Sequence, residues 1–428
     1  MASLTTNLIK LKENFYVRKK PGPISAAALP RGKPEKFGEI RERLWPGVHL
    51  PTDGRFIFSD ETSSLTDEEF KNSIILLDQI SDLIRYRESE AKLNPSWAKI
   101  VCPDGAWHPE YQNSIEPDDS VKNIQHSYQL LIRKDRDVIR KLRFYTQAFT
   151  GYQLATLSVA SSRPWIFEKM PDNWDETLKL LAGPPPSDVY NSVAIANALP
   201  PELRVTPPKK FGEIGWLYDD VIVNEDIYGY QQILSLMYEN GLIELLTDRF
   251  SKNGYLKIIE IGGGYGALAC HLIKFFNFNI RYAIVDIPES LAFSSIYCAT
   301  VMKEYDIELI KNNEPFSLNE TPGLTLIPNL FYRELCLDNE PIDLCINTLS
   351  LAEMSPVQVE DYCASISRFI GNKGIFFEQN RQKNELGLAY TFPKYFKNLR
   401  TCETNVVRDY PKQRGLANFW VNSDWSDA

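Results

Sequence analysis

The chain has 428 residues, 43% of them hydrophobic and 24% charged, a soluble globular composition that excludes a wholly disordered, collagenous or membrane-embedded protein. At roughly 150 residues per domain the length allows two to three domains, and a core of that size needs neither disulfides nor a structural metal. The net charge of −9 is uneven: residues 1–50 hold ten Lys and Arg against four Glu, which leaves −15 for the rest. Such an acidic body argues against a nucleic-acid partner bound through its phosphates.

Residues 1–60 are rich in Pro, Gly and basic side chains with little periodicity, and read as an extended basic arm on the surface. Met1 to Lys20 holds no apolar stretch before a small-residue cleavage site, so no secretory signal is expected. No apolar run reaches the roughly 18 residues of a spanning helix, and no membrane partner is expected. The seven Cys are scattered, several inside apolar runs such as Asp343-Leu344-Cys345-Ile346. They read as buried thiols of a reducing compartment, and the expected location is cytoplasmic.

The segment 61–205 reads as mainly helical. Thr66-x-x-Glu69 is a capping box, with Leu65 and Phe70 at the staple positions. Phe70, Ile74, Leu77 and Ile84 then share one helical face. A second helical stretch is expected through about 121–147. Seven Pro between Gly183 and Pro208 break any continuous helix there, and a connector of residues 206–254 follows, with a helix from about Ile227 to Gly241.

From residue 255 to 428 the pattern becomes strand alternating with helix. Short apolar runs occur at Leu256–Ile261, Tyr282–Ile287, Leu324–Ile327, Ile342–Ile346 and Gly374–Phe377. Near-continuous apolar strands separated by helices predict a parallel sheet covered on both faces. The helix after the fourth run is bounded by Ser355 as N-cap, Pro356, Gln358 completing a capping box, and Gly371. The fold class is therefore α/β, preceded by a helical N-terminal region.

Directly after the first strand stands Glu260-Ile261-Gly262-Gly263-Gly264-Tyr265-Gly266, opening a helix. Glycines let a backbone turn tightly and approach a ligand without a Cβ, and the free N–H groups of a helix start favour an anionic group. Asp286 closes the next strand, at the distance expected of a carboxylate that grips ribose hydroxyls. Two cofactors compete for such a turn. Gly262-x-Gly264-x-x-Ala267 satisfies a dinucleotide fingerprint and would suit an NAD-dependent oxidoreductase. Glu260-x-Gly262-x-Gly264-x-Gly266 satisfies the first motif of S-adenosylmethionine-dependent methyltransferases, and Glu260 favours this second reading as an acceptor near a methionine ammonium. A turn that serves helix–sheet packing alone is the bland alternative.

Residues 210–380 resemble the sugar O-methyltransferase family. The matching segments are Phe211–Trp216, Val223–Asp226, Ile259–Leu268, Ile284–Glu289, Ile346–Met354 and Phe376–Asn380; residues 1–205 lie outside the resemblance. It implies a Rossmann-like class I methyltransferase domain, a seven-stranded, mostly parallel sheet whose last strand is antiparallel. It also implies that Gly262, Gly264 and Gly266 line the methionine part, Asp286 holds the ribose, Asn329 flanks the adenine, and Asn347 closes the fourth strand near the methyl-transfer site, with Gly263 and Ile287 among the cofactor-binding residues. The implied acceptor is a hydroxyl of a sugar, a glycan or a glycosylated small molecule.

A sugar hydroxyl is a poor nucleophile while protonated, so a base or a metal is wanted beside it. Glu353, just past the fourth strand, is the first candidate base, and Glu225 and Asp226 are the second; each could instead serve a helix N-terminus. Glu225 and Asp226 could also reach a divalent cation, although no His, Cys and Asp cluster has metal-site spacing. Glu378 and Asn380 end the fifth strand and are expected to point into the cleft. Trp216, Tyr218, Tyr228 and Tyr230 could offer rings to an acceptor. His271, five positions past Gly266, reads as a packed helix residue, while His108 and His126 could reach the cleft only if the first half folds over it. The helical half would shape the acceptor pocket and a homodimer contact. Three rivals remain open: a non-sugar acceptor such as a phenol, peptide or polyketide; the oxidoreductase; and a non-catalytic binding protein on the same scaffold.

Overall fold

The computed structural model describes residues 56–59, 64–103, 124–145, 187–206, 208–218, 221–318, 321–337, 340–381, 388–406 and 414–426. Most of the predicted basic arm lies outside them. Its end does not: Phe56–Ser59 is a strand, β1, paired antiparallel with β2 (Glu213–Tyr218), which also pairs with β3 (Val221–Val223). The Thr66 capping box starts helix α1 (Asp67–Leu93): Thr66 Oγ1 accepts the Glu69 N–H at 3.2 Å, and the Glu69 carboxylate accepts the Thr66 N–H at 2.9 Å. Asn94 then caps α2 (Pro95–Val101), with Pro95 in its first turn.

The stretch expected as one helix over 121–147 is instead three: α3 (Ile124–Leu131), α4 (Arg136–Arg140) and α5 (Leu142–Tyr145). Lys134 takes a left-handed φ of 57°, and the Asp135 carboxylate accepts the Asp137 N–H at 2.7 Å. An Asp that can bond nearby backbone offers the chain a new helix start in place of continuation. After α6 (Ser187–Ala198), α7 (Glu225–Glu239) begins two residues earlier than expected, because Asn224 is its N-cap and accepts the Ile227 N–H at 3.1 Å. Helix α8 (Leu242–Asn253) leads into the sheet.

The sheet is built from β4 (Lys257–Ile261), β5 (Arg281–Asp286), β6 (Ile307–Leu309), β8 (Gly323–Pro328), β10 (Leu344–Thr348), β11 (Ile375–Gln379), β12 (Lys397–Thr401) and β13 (Ala417–Val421). A small parallel pair, β7 (Phe316–Ser317) with β9 (Leu335–Cys336), lies apart from it. The order is β12-β13-β11-β10-β4-β5-β8-β6, parallel throughout except for β13, which is antiparallel to both neighbours. This is the class I methyltransferase arrangement, with one correction: eight strands are present rather than seven. The addition, β6, has three residues, too few to show a period, and pairs on the outer edge of β8.

Strands β4, β8 and β11 are buried along their whole length because helices α9 (Ala267–Phe275), α10 (Pro288–Val301), α11 (Pro356–Ile370) and α12 (Leu388–Tyr395) cover the sheet. Both bonds of the Ser355 capping box form at the start of α11, and Gly371 ends it. One buried core runs from Leu65 to Val421. The helical first half shares it: α1 packs along α10, and α2 lies on α11. From β4 the chain steps outward to β5 and β8, then returns to the other side of β4 to form β10. Ligands of open α/β sheets bind at such a reversal, beyond the carboxyl ends of the strands.

Candidate active site

The glycine turn stands at that reversal. Gly262, Gly264 and Gly266 have φ of 75°, 57° and 87°, a region that L side chains enter at a cost of roughly 1–2 kcal/mol. Space is restricted too. A Cβ on Gly262 would lie 2.2 Å from Ser350 Oγ, one on Gly263 2.9 Å from Ile284 Cγ2, and one on Gly266 2.6 Å from Cys298 Sγ. The glycines therefore serve both the turn and its packing.

Asp286 clamps the turn from the end of β5. Its Oδ2 accepts the Gly264 N–H at 3.1 Å and the Ser290 hydroxyl at 2.7 Å, and its Oδ1 accepts the Ile287 N–H at 2.8 Å. Burial pushes its pKa up to about 6, against the opposing pull of those three bonds. Ile287 is half-buried and caps α10. Ser290, one helical turn beyond Asp286, had a readable signal in the spacing Asp286-x-x-x-Ser290.

Glu260, expected beside the methionine ammonium, ends in the interior below the turn. The side chain is buried beneath Gly263, with its Oε2 3.1 Å from the position a Cβ would take there, and accepts the Tyr282 hydroxyl at 2.8 Å. Desolvation raises its pKa to about 7. A buried carboxyl held this way supports the turn from below.

Asn329 follows β8. Its backbone N–H donates to Asp286 O at 2.8 Å, and its Nδ2 donates to Val101 O, the last residue of α2, at 2.8 Å. Its Oδ1 is buried and without a hydrogen-bond partner. Gln358 of α11 donates to Ile100 O at 3.2 Å and Cys102 O at 2.9 Å. Side chains of the sheet domain thus satisfy carbonyls that a helix end leaves open, and the end of α2 is held beside Asn329, just past β8. Arg87 of α1 makes two bonds to Glu289 of α10, at 2.9 and 2.6 Å, with both side chains buried. Sequence reasoning missed these long-range contacts.

On the other side of the reversal, Asn347 is fully buried and saturated. Its Nδ2 donates to Ile261 O at 2.9 Å and to Ser350 Oγ, and its Oδ1 accepts from Asn380 Nδ2 at 3.0 Å and Leu351 N at 3.3 Å. Asn380 Oδ1 accepts the Ala352 N–H at 3.2 Å. Glu378, expected in the cleft, is buried: its carboxylate accepts from Asn418 Nδ2 at 2.7 Å, Asn380 Nδ2 at 3.0 Å and Trp420 Nε1 at 3.2 Å. Burial raises its pKa, and these bonds oppose the rise. Glu378, Asn380 and Asn347 form one polar knot that fixes residues 349–353 across the strand ends. Leu349 takes a left-handed φ of 68° there, its N–H bonded to Gln379 O at 2.8 Å; such outliers cluster at functional sites.

Glu353 ends the short turn after Leu349 and is exposed. Glu225 and Asp226 open α7, and their side chains lie outside the described residues, as does that of Tyr218. Trp216 does not offer a ring to a ligand: it is buried in the core on β2. Tyr228 is also buried, its hydroxyl accepting from Gln232 Nε2 at 3.1 Å. Tyr230 is half-buried and stands edge-on to Tyr265 of the glycine turn, with ring centroids 6.4 Å apart. His271 is a packed residue of α9 whose pKa is lowered to about 4 by burial and by Lys274; His108 and the His126 side chain lie outside the described residues. Among the described residues, no group of three or more His, Cys, Asp and Glu could hold a metal ion, and no helix is long and apolar enough to cross a membrane.

No protein-family model matches the chain, and no curated protein matches it. Solved structures do. One is the N-methyltransferase NodS from Bradyrhizobium japonicum WM9 in complex with S-adenosyl-L-homocysteine, at 11% identity and TM-score 0.28 over 44% of this chain and 88% of that one. Another is an S-adenosylmethionine-dependent methyltransferase from Clostridium acetobutylicum ATCC 824, at 12% identity and TM-score 0.28 over 45% of this chain and 98% of that one. A third is a mutant of MtNAS, at 12% identity and TM-score 0.26; 44% of this chain matches it and spans 63% of its length. With TM-scores this low, the class of the fold rests on the chain's own strand order.

Proposed function

We propose that the chain is an S-adenosylmethionine-dependent O-methyltransferase acting on a hydroxyl of a sugar or a glycosylated small molecule. One observation carries the methyltransferase reading: a glycine turn clamped by Asp286 at the reversal of a sheet in which antiparallel β13 is inserted between β11 and β12. That strand order favours a methyltransferase over an NAD-dependent oxidoreductase. The sugar acceptor is supported by the sequence segments that resemble sugar O-methyltransferases.

The residues fit the cofactor. Asn329 Oδ1, a buried acceptor without a partner, suits the amino group of an adenine. Asp286 suits the ribose hydroxyls. The Gly262, Gly264 and Gly266 N–H groups are spent on Val285 O, Asp286 Oδ2 and Gly263 O, so these glycines serve the methionine part by letting the backbone approach it without a Cβ. When bound, the cofactor supplies an electrophilic methyl group on a sulfonium. The chain must then hold the acceptor hydroxyl and receive its proton. Glu353 is the exposed carboxylate beyond β10 that can take that proton, with Glu225 and Asp226 the next candidates.

Thermal unfolding with each cofactor tests the reading. Saturation at about 100 times Kd stabilises a protein by roughly 2.7 kcal/mol, so S-adenosylmethionine should raise the melting temperature by several degrees and NAD should leave it unchanged. A rise with NAD alone would overturn the proposal.

A further inference from the structure

We infer that the acceptor carries an oxyanion, a carboxylate or a phosphate, and that Arg414 binds it. The inference rests on the methyltransferase reading of the same cleft and deepens it. Arg414 precedes Gly415 at the entry to β13. Gly415 has a φ of 85°, and a Cβ on it would lie 2.0 Å from Asn380 O, so its backbone is pressed against the end of β11. Gln379 Nε2 also donates to Gly415 O at 3.2 Å. The base of the arginine is thereby fixed at the carboxyl end of the sheet.

The guanidinium lies across α7 at Gly229. A Cβ on Gly229 would stand 2.3 Å from Nη2, 2.8 Å from Cζ and 3.0 Å from Nη1. Glycine inside a helix weakens it; here it makes room for a cation. The next residue, Tyr230, stands edge-on to Tyr265 of the glycine turn, so the helix that carries Gly229 also touches that turn. Among the described residues Arg414 makes no ion pair with a carboxylate. Its planar fork of donors matches a carboxylate or phosphate in a way that a neutral hydroxyl does not.

A second group points to the same ligand. Gln379, 1% exposed, spends both amide hydrogens on Gly415 O and Gln232 Oε1, and its own Oε1 is buried without a partner. Buried polar atoms are nearly always hydrogen-bonded, and Gln379, which holds Gly415 next to Arg414 in the chain, keeps an acceptor that a hydroxyl of the same ligand would satisfy.

Calorimetry on the full chain saturated with S-adenosylhomocysteine tests this, with glucose, glucuronate and glucose 6-phosphate as probes. The wild type should bind at least one anionic probe ten or more times tighter than glucose, and the tighter of the two identifies the oxyanion. Arg414→Gln should bring the ratio to about one with S-adenosylhomocysteine affinity unchanged. Gly229→Ala, which displaces the guanidinium, should do the same. Equal binding of charged and neutral probes, no binding of either anion, or a preference that survives Arg414→Gln would overturn the inference alone. Failure of S-adenosylhomocysteine itself to bind would overturn the methyltransferase reading and this inference with it.

Discussion

The Gly264 N–H points at Asp286 Oδ2, 3.1 Å away, so the carboxylate that ends one strand holds the turn that ends its neighbour. The bond spans 22 residues of sequence and ties together the two parts of the proposed cofactor site. Replacing Asp286 with Ala removes it along with the bonds from Ser290 and Ile287. Hydrogen bonds to a charged group contribute roughly 1.5–3 kcal/mol, so S-adenosylmethionine affinity should fall about ten- to a hundredfold. Titration calorimetry would read this directly; an unchanged Kd would remove Asp286 from the site.

Glu260 should make stability depend on pH. Its folded pKa, about 7, lies above the ordinary 4.5. A carboxyl raised on folding contributes fully while protonated in both states, below the ordinary value, and that contribution is lost as pH rises through the folded value. A rise of this size corresponds to on the order of 3 kcal/mol. Urea unfolding from about pH 4.5 to about pH 7.5 should show the wild type losing stability relative to Glu260→Gln, which keeps an acceptor for the Tyr282 hydroxyl without a charge.

Gly262→Ala should destabilise twice over, through its φ of 75° and through overlap with Ser350 Oγ. The left-handed conformation alone costs roughly 1–2 kcal/mol. Ser350→Gly alone loses the hydroxyl's bonds with Asn347 and Ile261 O, so adding Gly262→Ala to it should cost the conformational part without the overlap. Denaturation midpoints of Gly262→Ala, Ser350→Gly and the double variant separate the contributions.

Removing one member of the buried Arg87–Glu289 pair takes two charge-assisted hydrogen bonds from the other. Arg87→Met should cost about 3–5 kcal/mol, and the double variant Arg87→Met with Glu289→Leu should cost much less. The comparison is a double-mutant cycle read by chemical denaturation.

Glu353→Gln tests the proton acceptor. Loss of a general base lowers turnover by about 10²–10⁴-fold. Transfer of labelled methyl groups should fall by that range while calorimetry finds S-adenosylmethionine affinity unchanged.

What could be read from the sequence was local. The capping boxes at Thr66 and Ser355, the glycine turn and the five apolar strands each carry their signal within a few residues. What could not be read depends on register and long-range docking. Glu378 sits at a strand end like a cleft residue, but β11 sets it opposite Asn418 of antiparallel β13, inside a polar knot. Trp216 is enclosed because β1, from a segment without strand periodicity, pairs alongside it. Asn329 meets Val101 across 228 positions of sequence, a contact that no spacing rule encodes.

The docking of α2 also bears on how the protein can be divided. Cutting the chain ahead of residue 206 would take Val101 O from the Asn329 amide, Ile100 O and Cys102 O from the Gln358 amide, and Arg87 from the Glu289 carboxylate. An isolated α/β fragment would thus carry a structural deficit beside the proposed adenine site. The helices around Arg87 and Val101 share the wall of the sheet, so the proposed site could not be excised intact by separating the two halves.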